Sequence, residues 1–323
     1  MKLSQIRGQE RATEQLLRGI RQERVAHAYL FAGPPGVGKT MTARAFALSV
    51  LCMNIENGDA CLVCSSCQQF ASANHAAFYD LEPDGATIKI EQIRKLQKWL
   101  RYRPYVGLYK VVLLHRVEAM QDPAANALLK VLEEPPGYTI FILVTHRGHG
   151  LLPTILSRCQ PVYFNSLPDD VIADFLREKG LSNDKIALLT LLADGRYDKA
   201  AELATAGLPE NRDKAAELLQ RIGQMSDSDI FRMAEQWDKN KEGLTELFDY
   251  LALLLRDKLL LLEGIEKLVI NYDQKEYSSR YNRKQLLEAM DEVLQGRRLL
   301  DSNASGRLIF EDRMMKIKKV MES

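Results

Sequence analysis

Eight consecutive residues, Gly33-Pro34-Pro35-Gly36-Val37-Gly38-Lys39-Thr40, have the types and spacing of a phosphate cradle, G-x-x-x-x-G-K-[ST]. Gly33, Gly36 and Gly38 let the backbone curl until successive N–H groups converge on phosphate oxygens. Lys39 adds a mobile positive charge for the β- and γ-phosphates, and the Thr40 hydroxyl is a Mg²⁺ ligand. An apolar strand-like run, Ala28 to Ala32, precedes the loop, and a helical segment, Met41 to Leu51, follows it. The helix presents its positive dipole end to the same anion. These residues predict a site for ATP or ADP with Mg²⁺.

Hydrolysis needs a second element: an acidic residue at the end of another strand to hold Mg²⁺, usually beside a Glu that polarises water. The strand expected to carry it is Lys110 to Leu114, and His115-Arg116 stands where Asp-Glu would be expected. Glu118 lies two residues further on, in the turn, and is expected to point elsewhere. The sequence therefore predicts nucleotide binding without turnover.

Cys61-Leu62-Val63-Cys64-Ser65-Ser66-Cys67 is a C-x-x-C-x-x-C run, and Cys52 precedes it by nine residues. Four thiolates so close in sequence point to a tetrahedral structural Zn²⁺ site that folds a short inserted loop. A redox C-x-x-C is an alternative, although no thioredoxin-like helix start is expected at these cysteines. An iron–sulfur cluster lacks a matching ferredoxin spacing.

The elements that must position these groups read as α/β over the first ~165 residues, on the spacing of apolar runs. Ala28–Ala32, Val111–Leu114 and Thr139–Val144 are nearly all apolar, as strands of a helix-covered parallel sheet are. From Pro168 onward the period is helical, with breaks at Gly180, Gly195, Gly207-Leu208-Pro209, Gly223 and Gly264; Leu244–Leu262 and Lys284–Leu300 read as strong helices. The expected organisation is a nucleotide-binding domain over 1–165 with a zinc module at 52–67, a helical lid over 166–207 and a helical domain over 208–323.

The chain has 323 residues, enough for two or three domains at about 100–200 residues each. Its 44 Lys+Arg against 43 Asp+Glu give no overall basic charge of the kind a dedicated nucleic-acid binder carries, so any DNA contact falls to a local patch or a partner. Five cysteines are too few for a disulfide scaffold. The N-terminus lacks the apolar core of a secretory signal, and Tyr250–Leu262, broken by Arg256-Asp257-Lys258, is too short to span a bilayer. A cytoplasmic protein without membrane contact is expected.

Two further segments name a family. Asn126-Ala127-Leu128-Leu129-Lys130-Val131-Leu132-Glu133-Glu134-Pro135-Pro136, then Leu152-Pro153-Thr154-Ile155-Leu156-Ser157-Arg158-Cys159-Gln160, resemble the AAA+ subunits of clamp loaders. With the four cysteines the resemblance narrows to the gamma/tau and delta-prime subunits of bacterial DNA polymerase III. The degenerate acidic motif and the length favour the delta-prime type. The motifs cover residues 1 to ~165; beyond them the likeness is one of architecture, a small lid and then an all-α collar.

The resemblance implies roles for several residues. Ser157-Arg158-Cys159 matches the clamp-loader Ser-Arg-Cys motif, so Arg158 would be an arginine finger acting in trans on a neighbour's γ-phosphate. Thr145 matches the sensor position that reads the γ-phosphate within the same subunit. The partners implied are gamma/tau and delta-type subunits and, through the complex, the sliding clamp and primed DNA. Active relatives carry a lid Arg three residues after a Gly, whereas counting from Gly195 lands on Asp198. An active gamma/tau-type motor is the alternative.

Weaker signals are the stripe Arg94, Lys98, Arg101, which reads as a solvated face with DNA phosphates as the rival partner, and Trp99, Leu253–Leu255 and Leu259–Leu262, which read as core or collar interface.

Overall fold

The computed structural model describes residues 1–104, 107–146, 153–206, 210–271, 281–300 and 304–322. The chain separates into two compact units, Met1–Ala201 and Glu202–Ser323. The expected break at Gly207-Leu208-Pro209, together with Leu152 of the clamp-loader-like segment, lies outside the described residues.

The first unit follows the order α1 (Glu10–Arg21), β1 (Ala28–Ala32), α2 (Lys39–Leu51), α3 (Ser65–Ala71), β2 (Phe78–Leu81), α4 (Ile90–Leu100), β3 (Lys110–Leu114), α5 (Asp122–Glu133), β4 (Thr139–Thr145), α6 (Pro153–Leu156), β5 (Gln160–Tyr163) and the helices α7 (Asp169–Glu178), α8 (Asn183–Ala193) and α9 (Tyr197–Ala206). The five strands form one sheet in the order β2-β3-β4-β1-β5, and every strand pair is parallel.

The three central strands are apolar on both faces because both faces are covered. Tyr29, Phe31, Val111, Leu113, Ile140 and Ile142 pack with Leu16, Ala43 and Phe46 of α1 and α2. Leu30, Val112, Leu114, Phe141 and Leu143 pack on the other side with Ile93, Leu96 and Leu128 of α4 and α5. Phe31 and Phe141 are fully buried, and truncating either to Ala would cost about 3–5 kcal/mol.

The two edge strands carry no such signature. Only Leu81 of β2 and Val162 of β5 are buried, and Pro161 sits in β5 where an edge tolerates the missing N–H. The Asn126–Pro136 segment lies mostly in α5, which begins at Asp122 with Pro123 in its first turn and ends at Glu133.

Among its described residues the second unit is helical: α10 (Glu210–Arg221), α11 (Asp227–Ala234), α12 (Lys241–Leu262), α13 (Arg283–Leu300) and α14 (Gly306–Glu322), with short 3₁₀ turns between. Leu244, Leu247, Phe248, Leu251 and Leu255 supply the inward face of α12. A β-carbon on Gly296 of α13 would lie 2.3 Å from the Phe248 ring, so glycine lets these two helices approach closely. The Asp257 carboxylate of α12 accepts from the backbone N–H and side-chain amide of Asn271, whose Oδ1 accepts from Arg212 of α10. No described helix is long and apolar enough to cross a membrane.

Candidate nucleotide site, zinc module and arginine finger

Parallel strands deliver their carboxyl ends to one rim of the sheet, where ligands of open α/β folds bind. Ala32 of β1 is in register with Thr145 of β4, so Thr145 stands beside the start of the loop that begins at Gly33. Leu114 of β3 pairs with Leu143, bringing His115 to the same rim. Topology thus gathers the loop, Thr145 and the β3 end. Thr145 is fully buried.

The loop needs its glycines. Gly36 and Gly38 have φ of +72° and +93°, the left-handed region that costs other residues strain. A β-carbon on Gly33 would sit 2.2 Å from the Phe164 carbonyl oxygen, so only a hydrogen fits there. Gly38 caps α2, and Lys39 is its first residue.

Lys39 is 3% exposed. Its ammonium folds back on the loop and donates to the carbonyl oxygens of Gly33, at 2.8 Å, and Pro34. Burial lowers its pKa to about 8, opposed by the charges of Glu118 and Asp198.

The end of β3 is organised by acids that sequence spacing did not connect. His115 Nε2 lies 2.6 Å from Oδ1 of Asp80 on β2, and the other oxygen of Asp80 takes Arg44 Nη2 at 2.6 Å. Arg116 has φ +46° and turns its side chain outward, where Nη2 donates to the Gly85 carbonyl at 3.2 Å. The two residues in place of an acidic pair are therefore engaged elsewhere and do not form a joint cationic face. Asp80 escaped notice because β2 lacks an apolar signature.

Contrary to expectation, Glu118 does not point away: Oε1 accepts from the His146 N–H at 3.3 Å, and Oε2 is buried with no hydrogen-bond partner among the described residues. Its charge acts on Lys39. The 3₁₀ turn Val117–Ala119 folds it back to the end of β4, which helical or strand periodicity could not reveal.

Helix α9 also reaches the loop. Tyr197 N–H donates to the Gly36 carbonyl at 2.8 Å, and Asp198 lies against Gly36. Arg196 donates to both oxygens of Asp198, at 3.2 and 3.1 Å.

The four cysteines converge, their sulfurs all within 4.8 Å of one another. Cys52 Sγ lies 3.6 Å from that of Cys61 and 3.9 Å from that of Cys64. A tetrahedral zinc with bonds of about 2.3 Å sets sulfurs about 3.8 Å apart, so the set fits such an ion. The backbone N–H groups of Cys61, Cys64 and Cys67 donate to the sulfurs of Cys52, Cys61 and Cys64 respectively. Contrary to expectation, one cysteine does begin a helix: Cys64 caps α3. Burial acts upward on the Cys64 thiol, yet hydrogen bonds from Cys67 and Met53 and from neighbouring thiols bring it down to about 6. Cys67 is pushed up, by burial first and then by the neighbouring sulfurs. Among the described residues the module's buried apolar core is Leu48, Ala60, Cys52 and Cys67, with Phe70 packed against it, a small core for a segment that must hold its own shape.

Arg158 follows α6. Its Nη1 donates to the Thr154 carbonyl at 2.9 Å, and Nη2 lies 2.8 Å from Glu133 Oε1 at the end of α5. One third of the side chain remains exposed. Cys159 is buried, and burial pushes its thiol up to about 11, the behaviour of an inert core residue.

The other segments fall as follows. Arg94, Lys98 and Arg101 are exposed, Trp99 packs on Tyr79 with ring centroids 5.2 Å apart, and Leu262 at the end of α12 is 43% exposed.

The five-stranded parallel sheet and the glycine loop at the end of β1 define an α/β phosphate-loop protein, with helical segments after the sheet. The family model described as DNA polymerase III, delta subunit matches residues 8–168, and its C-terminal counterpart matches residues 210–319. DNA polymerase III subunit delta' of Bacillus subtilis is 30% identical over 311 residues, covering 94% of each chain. The chain belongs to this family, the delta-prime subunits of DNA polymerase III. Subunit tau of the same organism is 27% identical over 339 residues, 96% of this chain and 60% of its own. A gamma subunit-related protein of Thermotoga maritima has a solved structure with 21% identity and a TM-score of 0.47, covering 95% of this chain and 99% of its own.

Proposed function

We propose that this chain works in a bacterial DNA polymerase III clamp loader as a subunit that completes a neighbour's ATP site and does not itself turn ATP over. Arg158 is the finger. The observation that carries the reading is the pairing of a held, part-exposed guanidinium at Arg158 with a β3 end whose residues are committed elsewhere, His115 to Asp80 and Arg116 to Gly85. A fixed, always-charged guanidinium suits the stabilisation of phosphoryl transfer across an interface.

In this reading Gly33, Gly36, Gly38, Lys39 and Thr40 hold ATP or ADP, with Thr145 at the terminal phosphate, and Mg²⁺ supplies charge neutralisation when bound. Cys52, Cys61, Cys64 and Cys67 hold a structural Zn²⁺; four thiolate ligands leave no open position for catalysis. The domains are 1–165, a lid over 166–207 and a collar over 208–323, and the chain acts in the cytoplasm. Its partners are gamma/tau and delta-type subunits, which assemble with it to place a sliding clamp on primed DNA.

One observation favours a second reading. The Glu118 carboxylate, turned toward the loop with Oε2 unpaired, is an acid that an active gamma/tau-type motor could use. Steady-state phosphate release by the isolated chain with Mg²⁺ and primed DNA separates the two. Turnover that disappears in Lys39→Ala supports the motor, and release at the background rate supports the non-hydrolysing subunit.

A further inference from the structure

The phosphate loop already has an anion beside it. A β-carbon built on Gly36 would fall 1.9 Å from Oδ1 of Asp198 and 2.5 Å from its Cγ, so the carboxylate packs directly on the α-carbon of the loop's central glycine. This placement is held from several sides. Tyr197 N–H donates to the Gly36 carbonyl at 2.8 Å, and the Tyr197 ring packs on Phe175 of α7 with centroids 4.4 Å apart. Gly195 is tied to the strand-to-lid connection: its carbonyl accepts from Leu167 N–H at 2.8 Å, and any β-carbon there would meet Ser166 at 2.7 Å. The start of α9 is thus pinned on the loop, and Asp198 goes where the backbone puts it.

The surrounding charges fit the same picture. Arg196 spends its guanidinium on Asp198, with Nε on Oδ1 and Nη2 on Oδ2. Lys39 responds to the carboxylates of Asp198 and Glu118. A loop built to attract phosphate therefore carries a fixed negative group on one side, and the Arg196 guanidinium is paired with it.

We propose that Asp198 is a specificity determinant of the phosphate loop, a resident carboxylate that sets the site against nucleotides in proportion to their phosphate charge and so makes it favour a nucleoside diphosphate over the triphosphate. This rests on the loop binding nucleotide, as argued above. A like charge near a bound anion weakens binding, and a triphosphate brings one more ionised phosphoryl group than a diphosphate. Removing the carboxylate lifts that repulsion and frees the Arg196 guanidinium for phosphate oxygens, to which it is well matched.

The test is calorimetric titration of the full chain with Mg-ADP and with Mg-ATP, for the wild type, Asp198→Asn and Asp198→Ala, with Lys39→Ala as the blank. Asp198 is half exposed, so its charge is screened and the effect is moderate. The expected result is tighter wild-type binding of ADP than of ATP. Both Asp198 variants should tighten ATP by about tenfold and ADP by no more than about threefold, a gap that added salt narrows. Equal tightening of the two nucleotides, no change, or weaker ATP binding overturns the role of Asp198 and leaves nucleotide binding standing. Heats no larger than those of Lys39→Ala in the wild type and both variants overturn nucleotide binding itself, and the proposal with it.

Discussion

The Arg158 guanidinium is fixed by Glu133: Nη2 stands 2.8 Å from Oε1, while Nη1 donates to the Thr154 carbonyl. The last residue of α5 thus orients the residue proposed to act on a neighbouring subunit. The two segments that carry the family resemblance, separated by β4, meet at this contact.

Replacing Arg158 with Lys keeps the charge and loses the planar fork that reaches both partners. An ion pair this exposed contributes about 0–1 kcal/mol, so Arg158→Lys should leave the melting temperature of the isolated chain nearly unchanged. Nucleotide hydrolysis by the reconstituted complex should nevertheless fall at least about tenfold, because a finger acts by geometry as well as charge. Thermal melts and phosphate release check the two halves.

Restoring an acid at the end of β3 should harm the fold. His115→Asp would set a second carboxylate against Asp80, which keeps only Arg44 as a partner. A loss of about 1–3 kcal/mol is expected in denaturant unfolding at neutral pH, from the broken hydrogen bond and the repulsion. Adding Asp80→Asn should recover part of it.

Lys39 gives a pH signature. Burial holds its pKa near about 8, so above that pH the free site loses its proton while the unfolded chain keeps one up to its normal value. Because the unfolded state then binds more protons, the buried-charge penalty fades and stability gains as pH rises through this window. Phosphate bound beside the ammonium favours the charged form, so nucleotide binding at pH 8.5 should take up protons. Titrations in buffers of different ionisation enthalpy read this directly, and Lys39→Met should abolish it.

Metal removal should act locally. Four sulfurs within 4.8 Å and almost no apolar core predict one Zn²⁺ per chain and a segment over 52–71 that opens when it is lost. Hydrogen exchange after chelation should rise across that segment and stay low in β1, β3 and β4. Cys61→Ser should mimic chelation.

The central sheet was legible because β1, β3 and β4 are buried on both faces, and burial on both faces writes a continuous apolar run. The phosphate loop and cysteine run were legible because their chemistry is local in sequence. The edge strands β2 and β5 were not, since three quarters of each faces solvent or is part-covered. With β2 went Asp80, the partner of His115, and the direction of Glu118 depends on a three-residue turn that no period marks. Asp198 was visible as a departure from an expected arginine. Its seat on Gly36 depends on where α9 packs, a tertiary fact.

The most direct test is hydrolysis by the reconstituted complex carrying either Arg158→Ala or Lys39→Ala in this subunit alone. The proposed division of labour predicts a drop on the order of 10³-fold for Arg158→Ala and nearly full activity for Lys39→Ala. Full activity with Arg158→Ala, together with a collapse in Lys39→Ala, would contradict it.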